Sequence, residues 1–234
     1  LKKNSKKKVF NIHIQNPKIK LDNFDLIVVP EHDNLDGENI IKTKGAIHYL
    51  TSKEIENNKE YLFSLSNKLK NNDVISLILG GPNQYYDYSD RNIQEIFSKV
   101  NYLVKENNLK LVVIPSMRTP KDTIEHAKMY FGDDNLVLNN IDKKAYLSAF
   151  SISKYIVVTC DSSSMISEAA LSGKPIYVAN IPAKKNDRRF RKFKELFKEL
   201  NIIRNLSDNL ENWSYDILNE TDRVSKIIKN KIKI

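Results

Sequence analysis

Short apolar segments rich in β-branched residues alternate along the chain with longer amphipathic segments. Two early segments, 9–14 and 26–29, predict β-strands that end in turn residues, and a shorter apolar segment at 46–50 follows Gly45. Residues 53–71 are polar with a stripe of leucine and tyrosine, which predicts a helix or a linker between two halves of the chain.

A more regular alternation begins at residue 74. Strands are predicted where short segments are almost wholly apolar, and helices where apolar residues recur at three- and four-residue spacing. The predicted strands are 74–79, 109–114, 136–138, 155–159 and 176–178, and the predicted helices are 89–107, 119–131, 142–150, 163–172, 188–200 and 220–232. Strands that are apolar on both faces and separated by helices imply a parallel sheet covered on each side, as in doubly wound α/β folds.

The same pattern divides the chain into an incomplete unit and a complete one. Its 234 residues suit one large domain or two small ones. Two or three strands are too few for a whole Rossmann-like domain, so residues 1–66 are predicted to be the C-terminal part of an incomplete N-terminal domain. Residues 67–204 are predicted to form a second, Rossmann-like domain.

The composition is that of a soluble globular protein. Hydrophobic residues make up 41% and charged residues 29%, which is too apolar for wholesale disorder. No apolar segment approaches the ~18 residues that span a bilayer, which argues against an integral membrane protein. A single cysteine, Cys160, excludes a disulfide framework and a cysteine-rich zinc site. Because the N-terminal residues lack the features of a signal peptide, we expect a cytoplasmic protein.

The net charge of +9 has two interpretations. Lysine, asparagine and isoleucine are abundant while arginine is scarce, as in proteins from A+T-rich genomes, so the lysine excess can be a solvated surface. Alternatively, basic clusters attract phosphates or an anionic membrane. The two clusters are the segment Lys184–Lys198 and the N-terminal lysines Lys2, Lys3, Lys6, Lys7 and Lys8. Nucleic acid ranks last as a partner, because only the pI of about 9.3 favours it.

In open α/β sheets, ligands bind at the carboxyl ends of the strands, where four distinctive segments of this chain fall. The first is Gly80-Gly81-Pro82-Asn83. Two glycines allow a backbone to approach a ligand closely and to offer N–H groups to a phosphate. The alternative is a tight turn that leaves the strand. The Gly-Lys-Ser/Thr ending of a P-loop is absent.

The second segment, 115–120, places Arg118 between a predicted strand and the start of a helix. A guanidinium group there can hold a phosphate through two hydrogen bonds. Ser116 or Thr119 can cap the helix, and the two interpretations are compatible.

The third segment is the most specific, because hydroxyl groups crowd the start of a predicted helix. The helix dipole favours an anion there, and Glu168, one turn further on, can accept hydrogen bonds from ribose hydroxyls. A capping box is the alternative. The Gly-flanked elbow of serine hydrolases is missing, which argues against a nucleophilic serine. The candidate residues are Asp161, Ser162, Ser163, Ser164, Ser167 and Glu168.

The fourth segment, Glu31-His32-Asp33, follows an early strand. Three ionisable side chains at a strand end can supply a general base, and the usual pKa of His32 is nearest to physiological pH. Exposed loop charges are the alternative interpretation. No metal site is predicted, because no metal-type spacing links these residues to the remaining histidines, His13, His48 and His126.

Several segments carry distinctive combinations of residues in one order along the chain. They are HIQNPKI (13–19), DLIVVPEHDNLDGENIIKTKGAIHYLT (25–51), LILGGPNQYYDYS (77–89), PSMRTP (115–120), VTCDSSSMISEAALSGKPIYV (158–178) and the tail from 188 to 224. Together they resemble the mitochondrial fission ELM ("elongated mitochondria") family, which includes plant proteins and many bacterial homologues. The resemblance covers nearly the whole chain.

Members of that family are similar to GT-B glycosyltransferases, which have two Rossmann-like domains, a cleft between them and a C-terminal helix that returns to the first domain. The resemblance implies a GT-B-like α/β fold in which residues 205–234 supply that helix. It places Glu168 at the donor ribose, and Glu31, His32 and Asp33 on the first domain, facing the cleft. The implied nucleotide-binding residues are Gly80, Gly81, Pro82, Asn83, Arg118, Asp161, Ser162, Ser163, Ser164, Ser167 and Glu168.

Family members also carry an additional N-terminal stretch, whereas this chain begins shortly before the first matching segment. Its absence would expose a sheet edge and core apolar surface. We therefore expect either a poorly folded N-terminal region or a partner chain that supplies the missing strands.

Two functions compete on this basis. The first is a nucleotide-sugar-binding protein that acts as an inverting, metal-independent glycosyltransferase, with a nucleotide sugar as co-substrate and no separate cofactor. His32 or a neighbouring carboxylate would deprotonate the acceptor, while Arg118 and backbone N–H groups would stabilise the leaving diphosphate. The second is a non-enzymatic adaptor at a membrane surface, which would use the basic segment Lys184–Lys198 and its aromatic residues. In the alternative interpretation of that segment, the aromatic side chains pack in the core.

Overall fold

The computed structural model of the protein describes residues 9–232, so the N-terminal lysine cluster lies outside the described residues. Two parallel sheets organise the chain. The first has three strands in the order β1-β2-β3: β1 (Ile12–Ile14), β2 (Leu26–Pro30) and β3 (Ile40–Thr43). The apolar segment at 46–50 forms no strand, and the third strand instead comes from the more polar sequence just before it.

The second sheet has six parallel strands in the order β6-β5-β4-β7-β8-β9. They are β4 (Val74–Leu79), β5 (Lys110–Pro115), β6 (Leu136–Val137), β7 (Ser153–Thr159), β8 (Ile176–Ala179) and β9 (Ile203–Asn205). All of these except β9 are predicted by the apolar pattern. A strand of three residues that contains an arginine is too short and too polar for that pattern to reveal.

Eight helices connect or cover the strands within the described residues. They are α1 (Ser52–Asn57), α2 (Tyr61–Leu65), α3 (Asp90–Glu106), α4 (Lys121–Phe131), α5 (Lys143–Ile152), α6 (Ser163–Ala169), α7 (Arg188–Glu199) and α8 (Glu220–Ile232). The predicted α/β fold with parallel sheets is confirmed. The segment predicted as a helix or linker forms two short helices, α1 and α2, and α1 begins with a capping box between Thr51 and Glu54.

The core lies on both faces of the six-stranded sheet. Every residue of β4 is buried, as expected for a central parallel strand. On α3, Ile93, Phe97 and Val100 are buried at the spacing that predicts the helix. The strand order changes direction between β4 and β7, and in open α/β sheets ligands bind near such a switch point.

Helix α8 packs against the first sheet and holds the connection to the second. Val224 lies in a cluster with Leu26, Val28 and Ile41 of the first sheet. The Glu220 carboxylate accepts a hydrogen bond from the Lys44 N–H at 3.0 Å. The connection after β3 is therefore anchored on α8. The domain bounds 1–66, 67–204 and 205–234 stay a prediction.

Candidate functional site

Asp161 is buried at the carboxyl end of β7 and joins the loops that follow three strands. Its Oδ2 accepts hydrogen bonds from the Gly81 N–H at 3.1 Å and from Arg118 Nη2 at 2.7 Å. Its Oδ1 accepts hydrogen bonds from the hydroxyls of Tyr88 and Thr159, each at 2.7 Å. A buried carboxylate with four donors has its charge well compensated, so this network fixes the loops relative to one another.

The two predicted glycines lie against this network. A Cβ at Gly80 would be 2.1 Å from Asp161 Oδ2, and a Cβ at Gly81 would be 1.9 Å from the carbonyl oxygen of Arg118. The Gly80 N–H donates to Thr159 Oγ1 at 2.8 Å. The close backbone approach inferred from the sequence is therefore present, and the neighbours are parts of the protein itself. Phosphate binding by these N–H groups stays a prediction.

The rest of the first predicted segment orders the loop after β4. The Asn83 side chain donates to the carbonyl oxygen of Asp161 at 3.1 Å and accepts from the N–H groups of Tyr85 and Tyr86. Pro82 is exposed beside it. Asn83 therefore acts as a turn residue that ties this loop to β7.

Arg118 belongs both to the network and to a cleft. Its guanidinium group donates to the Gly81 carbonyl oxygen and to Asp161, each at 2.7 Å, while the side chain remains 41% exposed. The Thr119 hydroxyl bonds back to the carbonyl oxygens of Leu79 and Gly80, so the loop after β5 is held against β4. The predicted anion-binding arginine is thus pre-oriented by a buried carboxylate.

The cleft beside Arg118 has a volume of about 340 Å³ and lies at the carboxyl ends of β4 and β5. Ile78, Ile114 and Met165 give it apolar walls. Its polar and rim residues come from several separate segments: Tyr49, Met117, Arg118, Ile141, Ser162 and Glu168. The topology therefore brings three of the predicted nucleotide-binding residues, Arg118, Ser162 and Glu168, together in one cleft.

Glu168 is half-buried on the wall of this cleft. Its Oε2 accepts a hydrogen bond from the Tyr146 hydroxyl at 2.7 Å. Burial raises the pKa of Glu168 above its ordinary value, and the Tyr146 hydrogen bond opposes that change. Since a carboxylate has about four acceptor positions, Glu168 retains capacity for further hydrogen bonds.

The serines at the start of α6 have different partners. Ser162 caps the helix by accepting from the Met165 N–H at 3.3 Å, in place of a capping box that begins at Ser164. Ser167 is buried, where its hydroxyl accepts from the Ala46 N–H at 3.0 Å and donates to the Ser163 carbonyl oxygen. Ser167 therefore holds the connection from the first sheet, whereas Ser164 is exposed.

The residues Glu31, His32 and Asp33 form one 3₁₀ turn at the end of β2. The His32 side chain is only 5% exposed, and its ring lies edge-on to Phe193 with 5.6 Å between ring centres. Burial, and then the charge of Arg189, lower the pKa of His32 to about 4, although Asp33 opposes them. Asp33 pairs with Arg189 at 2.6 Å. Glu31, half-buried, contributes to the raised pKa of Arg223 after the larger effect of Glu220.

The basic segment around α7 has its aromatic residues in the core. Phe193 and Phe197 are buried, and Phe190 packs against the same cluster. Among its cations, Arg189 and Arg191 pair with carboxylates. The core-packing interpretation of these aromatic residues is confirmed, and contact of the charged face with a membrane stays a prediction. Within residues 9–232, no helix is both long and apolar enough to cross a membrane.

Sequence reasoning missed the tyrosines that serve the two carboxylates, Tyr88 for Asp161 and Tyr146 for Glu168. It also missed Tyr49, which reaches the cleft from the connection between the sheets. In the sequence, the position of Tyr88 shortly after Gly80-Gly81-Pro82-Asn83 is the one feature that could have indicated its role. No cluster of three or more side chains suited to a metal ion occurs in the described part of the chain.

A family model for mitochondrial fission ELM1 matches residues 1–232. The chain belongs to this family. It is 30% identical to the uncharacterized protein RP120 of Rickettsia prowazekii (strain Madrid E), over 87% of this chain. It is 25% identical to the mitochondrial fission protein ELM1 of Arabidopsis thaliana, over 96% of this chain. The chain spans 58% of the length of each of these curated relatives.

A solved structure of S. aureus MnaA with UDP is also similar to this ELM1-family chain. The TM-score is 0.47 and the sequence identity 15%, over 90% of this chain and 60% of that chain.

Proposed function

We propose that this ELM1-family chain binds a nucleotide sugar, with the nucleoside diphosphate in the cleft beside Glu168. The observation that carries the proposal is a half-buried carboxylate with free acceptor capacity in a cleft that also holds a guanidinium group and apolar walls. A nucleotide presents ribose hydroxyls, a diphosphate and a flat base, and each of these matches one of the three features.

The ribose is assigned to Glu168. Its carboxylate can accept hydrogen bonds from two vicinal hydroxyls, and hydrogen bonds to a charged acceptor are among the stronger ones. Tyr146 donates to Oε2 and fixes the orientation of the carboxylate. A functional carboxylate held in place by a second side chain is the arrangement expected of a binding site.

The diphosphate is assigned to Arg118 and Lys143, which both line the cleft. Arg118 is fixed by Asp161 while part of its guanidinium group remains exposed. The base is assigned to the rim, where three large apolar side chains remain exposed: Tyr49 (69%), Met117 (88%) and Ile141 (59%). Exposed apolar side chains that converge on one cleft are typical of a binding surface.

The transfer reaction implied by the resemblance would need a base from the turn 31–33. His32 has a pKa of about 4, far below the value near operating pH that suits a general base. Asp33 is engaged by Arg189. Since the geometry supports binding more directly than proton transfer, binding is the function that we propose.

The test is a thermal-shift and calorimetric panel of UDP, ADP, GDP and CDP on the chain and on two variants. A diphosphate at about 100 times its Kd should add about 2.7 kcal/mol to the stability of the wild type. Glu168→Gln should weaken that binding by about tenfold, the effect of losing ~1.4 kcal/mol. Glu199→Gln, an exposed change far along α7, is the matched control. No response of the wild-type chain to any of the four would contradict the proposal.

A further inference from the structure

The connection between the two sheets, residues 44–50, brings Tyr49 to the rim of the cleft. The Tyr49 side chain is 69% exposed there, whereas its neighbours His48 and Leu50 are buried. Leu50 lies in the core of the second sheet. An exposed side chain between two buried residues takes its direction from the backbone that those residues hold. Whatever fixes this backbone therefore fixes where Tyr49 meets a ligand.

Thr221, on α8, holds the backbone directly before Tyr49. The His48 N–H donates to Thr221 Oγ1 at 3.3 Å, and the Thr221 hydroxyl donates to the His48 carbonyl oxygen at 2.6 Å. One hydroxyl thus acts as acceptor and donor for the same residue. The carbonyl belongs to the peptide group that joins His48 to Tyr49. On α6, Ser167 anchors the same connection by accepting from the Ala46 N–H.

Helix α8 is itself fixed on the first sheet by the neighbours of Thr221. The buried Glu220 carboxylate accepts from the Lys44 N–H and from the Arg223 guanidinium group, which also donates to a carbonyl oxygen of β3. Val224 packs against the apolar residues of that sheet. Thr221 therefore lies between the first sheet, on which α8 is docked, and the segment that carries Tyr49.

Tyr49 also contacts a cation of the cleft. Lys143 Nζ lies 4.7 Å from the centre of the Tyr49 ring, within the range of a cation–π contact. Lys143 is also held by Glu54 Oε1 at 3.3 Å, just beyond the connection. A displacement of Tyr49 would therefore disturb both the wall assigned to the base and a cation assigned to the diphosphate.

We propose that Thr221 is a positioning residue for the cleft, so that the docking of α8 on the first sheet regulates nucleotide affinity. Thr221 holds the His48 backbone and thereby fixes Tyr49, although it is not one of the described residues that line the cleft. A change that loosens α8 from the first sheet weakens the cleft through this contact. The regulation rests on the nucleotide-binding function proposed above.

The first experiment is a double-mutant cycle, measured by calorimetry with whichever of UDP, ADP, GDP and CDP binds. Thr221→Val should weaken binding about fivefold, the effect of one ordinary hydrogen bond, and Tyr49→Ala about tenfold. In the Tyr49→Ala background, Thr221→Val should cause no further loss, because its effect passes through Tyr49.

Two controls separate this coupling from a general effect on folding. Thr221→Ser keeps the hydroxyl and should restore wild-type affinity. Ser225→Ala removes an exposed hydroxyl one turn further along α8 and should leave the affinity unchanged. Equal losses from Thr221→Val in both backgrounds, or no loss in either, would overturn the inference and leave the proposed function standing.

The second experiment does not depend on a nucleotide. The ring current of Tyr49 shifts the NMR signals of the Lys143 ε-methylene protons, and comparison with Tyr49→Leu measures that shift. Thr221→Val should remove most of it, whereas Thr221→Ser and Ser225→Ala should preserve it. Thr221→Ala, which also lacks the hydroxyl but adds no methyl group, repeats the measurement. An unchanged Lys143 shift in both the valine and the alanine variants would overturn the inference, whether or not a diphosphate binds to the cleft.

Discussion

Two carboxylates that follow β7, Asp161 in the loop and Glu168 on α6, behave differently. Asp161 is buried and accepts four hydrogen bonds from groups in three loops. Glu168 is half-buried beside a cleft and accepts a hydrogen bond from Tyr146. A carboxylate whose acceptor positions are filled by the protein acts as framework, whereas one with free positions is available to a ligand.

The difference also explains why a glycine-rich segment at a strand end can suggest a ligand-binding loop while its polar groups bond within the protein. Gly80, Gly81 and Asp161 lie where a nucleotide would be expected, but their polar groups bond to other groups of the protein. Arg118 joins the two regions, because it bonds to Asp161 and lines the cleft of Glu168. The Asp161 network therefore positions Arg118 at the wall of the cleft, while its own polar groups bond within the protein.

The largest effect is expected at Asp161. Asp161→Asn keeps the shape of the side chain but removes the charge that compensates Arg118, and one of its atoms becomes a donor that faces donors. Removing the buried charge and placing a donor against donors should lower the free energy of unfolding by about 3 kcal/mol. Urea denaturation measures the change, with Glu168→Gln as the matched variant. Similar losses in the two variants would end the distinction between framework and binding carboxylate.

A second, smaller loss should follow when the glycines beside the network gain a side chain. In Gly81→Ala the Cβ would collide with the backbone of Arg118, which should cost about 2 kcal/mol, as for other overpacked sites. Gly37 is the matched control, because it is exposed, its φ is not positive, and a Cβ there would meet only side-chain atoms, the nearest at 3.3 Å. Gly37→Ala should therefore change the stability by no more than about 0.5 kcal/mol. Equal losses in urea denaturation would contradict the packing explanation.

Most of the fold could be predicted because the strands of the second sheet are apolar on both faces and its longer helices are amphipathic. The two strands without a prediction, β3 and β9, are short and contain charged residues, Lys42 and Arg204. The apolar segment at 46–50 has the local sequence pattern of a strand, yet it forms none. Its N–H groups instead bond to Ser167 and Thr221, which are distant in sequence.

The candidate site could also be predicted only in part. Arg118, Ser162 and Glu168 could be placed near one another because the carboxyl ends of parallel strands meet at one edge. The side chains that decide their roles, Tyr88 and Tyr146, could not be predicted, because they come from other segments of the chain. The sequence also could not indicate that the Ser167 hydroxyl bonds to the connection from the first sheet, because its partner Ala46 is distant in sequence.

The third prediction isolates the hydrogen bond that Glu168 does have. Tyr146→Phe removes the donor that lowers the pKa of Glu168, so burial is left unopposed and the pKa should rise further above its ordinary value. Carbon-detected NMR titration of the Glu168 carboxyl group measures it directly. The stability cost should be about 1 kcal/mol, the value of one ordinary hydrogen bond. An unchanged Glu168 pKa would show that Tyr146 does not orient the carboxylate in solution.

The last prediction concerns His32, whose effect appears only as the pH falls. The folded state holds the pKa of His32 at about 4, below the ordinary value of 6.5, so between these values the unfolded chain binds a proton that the folded chain does not. The contribution of His32 to stability is therefore complete above pH 6.5 and is lost as the pH falls towards 4.

The difference in unfolding free energy between wild type and His32→Gln should stay constant above pH 7. Between pH 6.5 and 4 the wild type should lose stability relative to His32→Gln, because glutamine does not titrate. The other acidic and basic groups, including His48, whose pKa is also lowered by burial, are common to both proteins and cancel in the difference. A constant difference across the whole range would show that the folded state does not lower the pKa of His32.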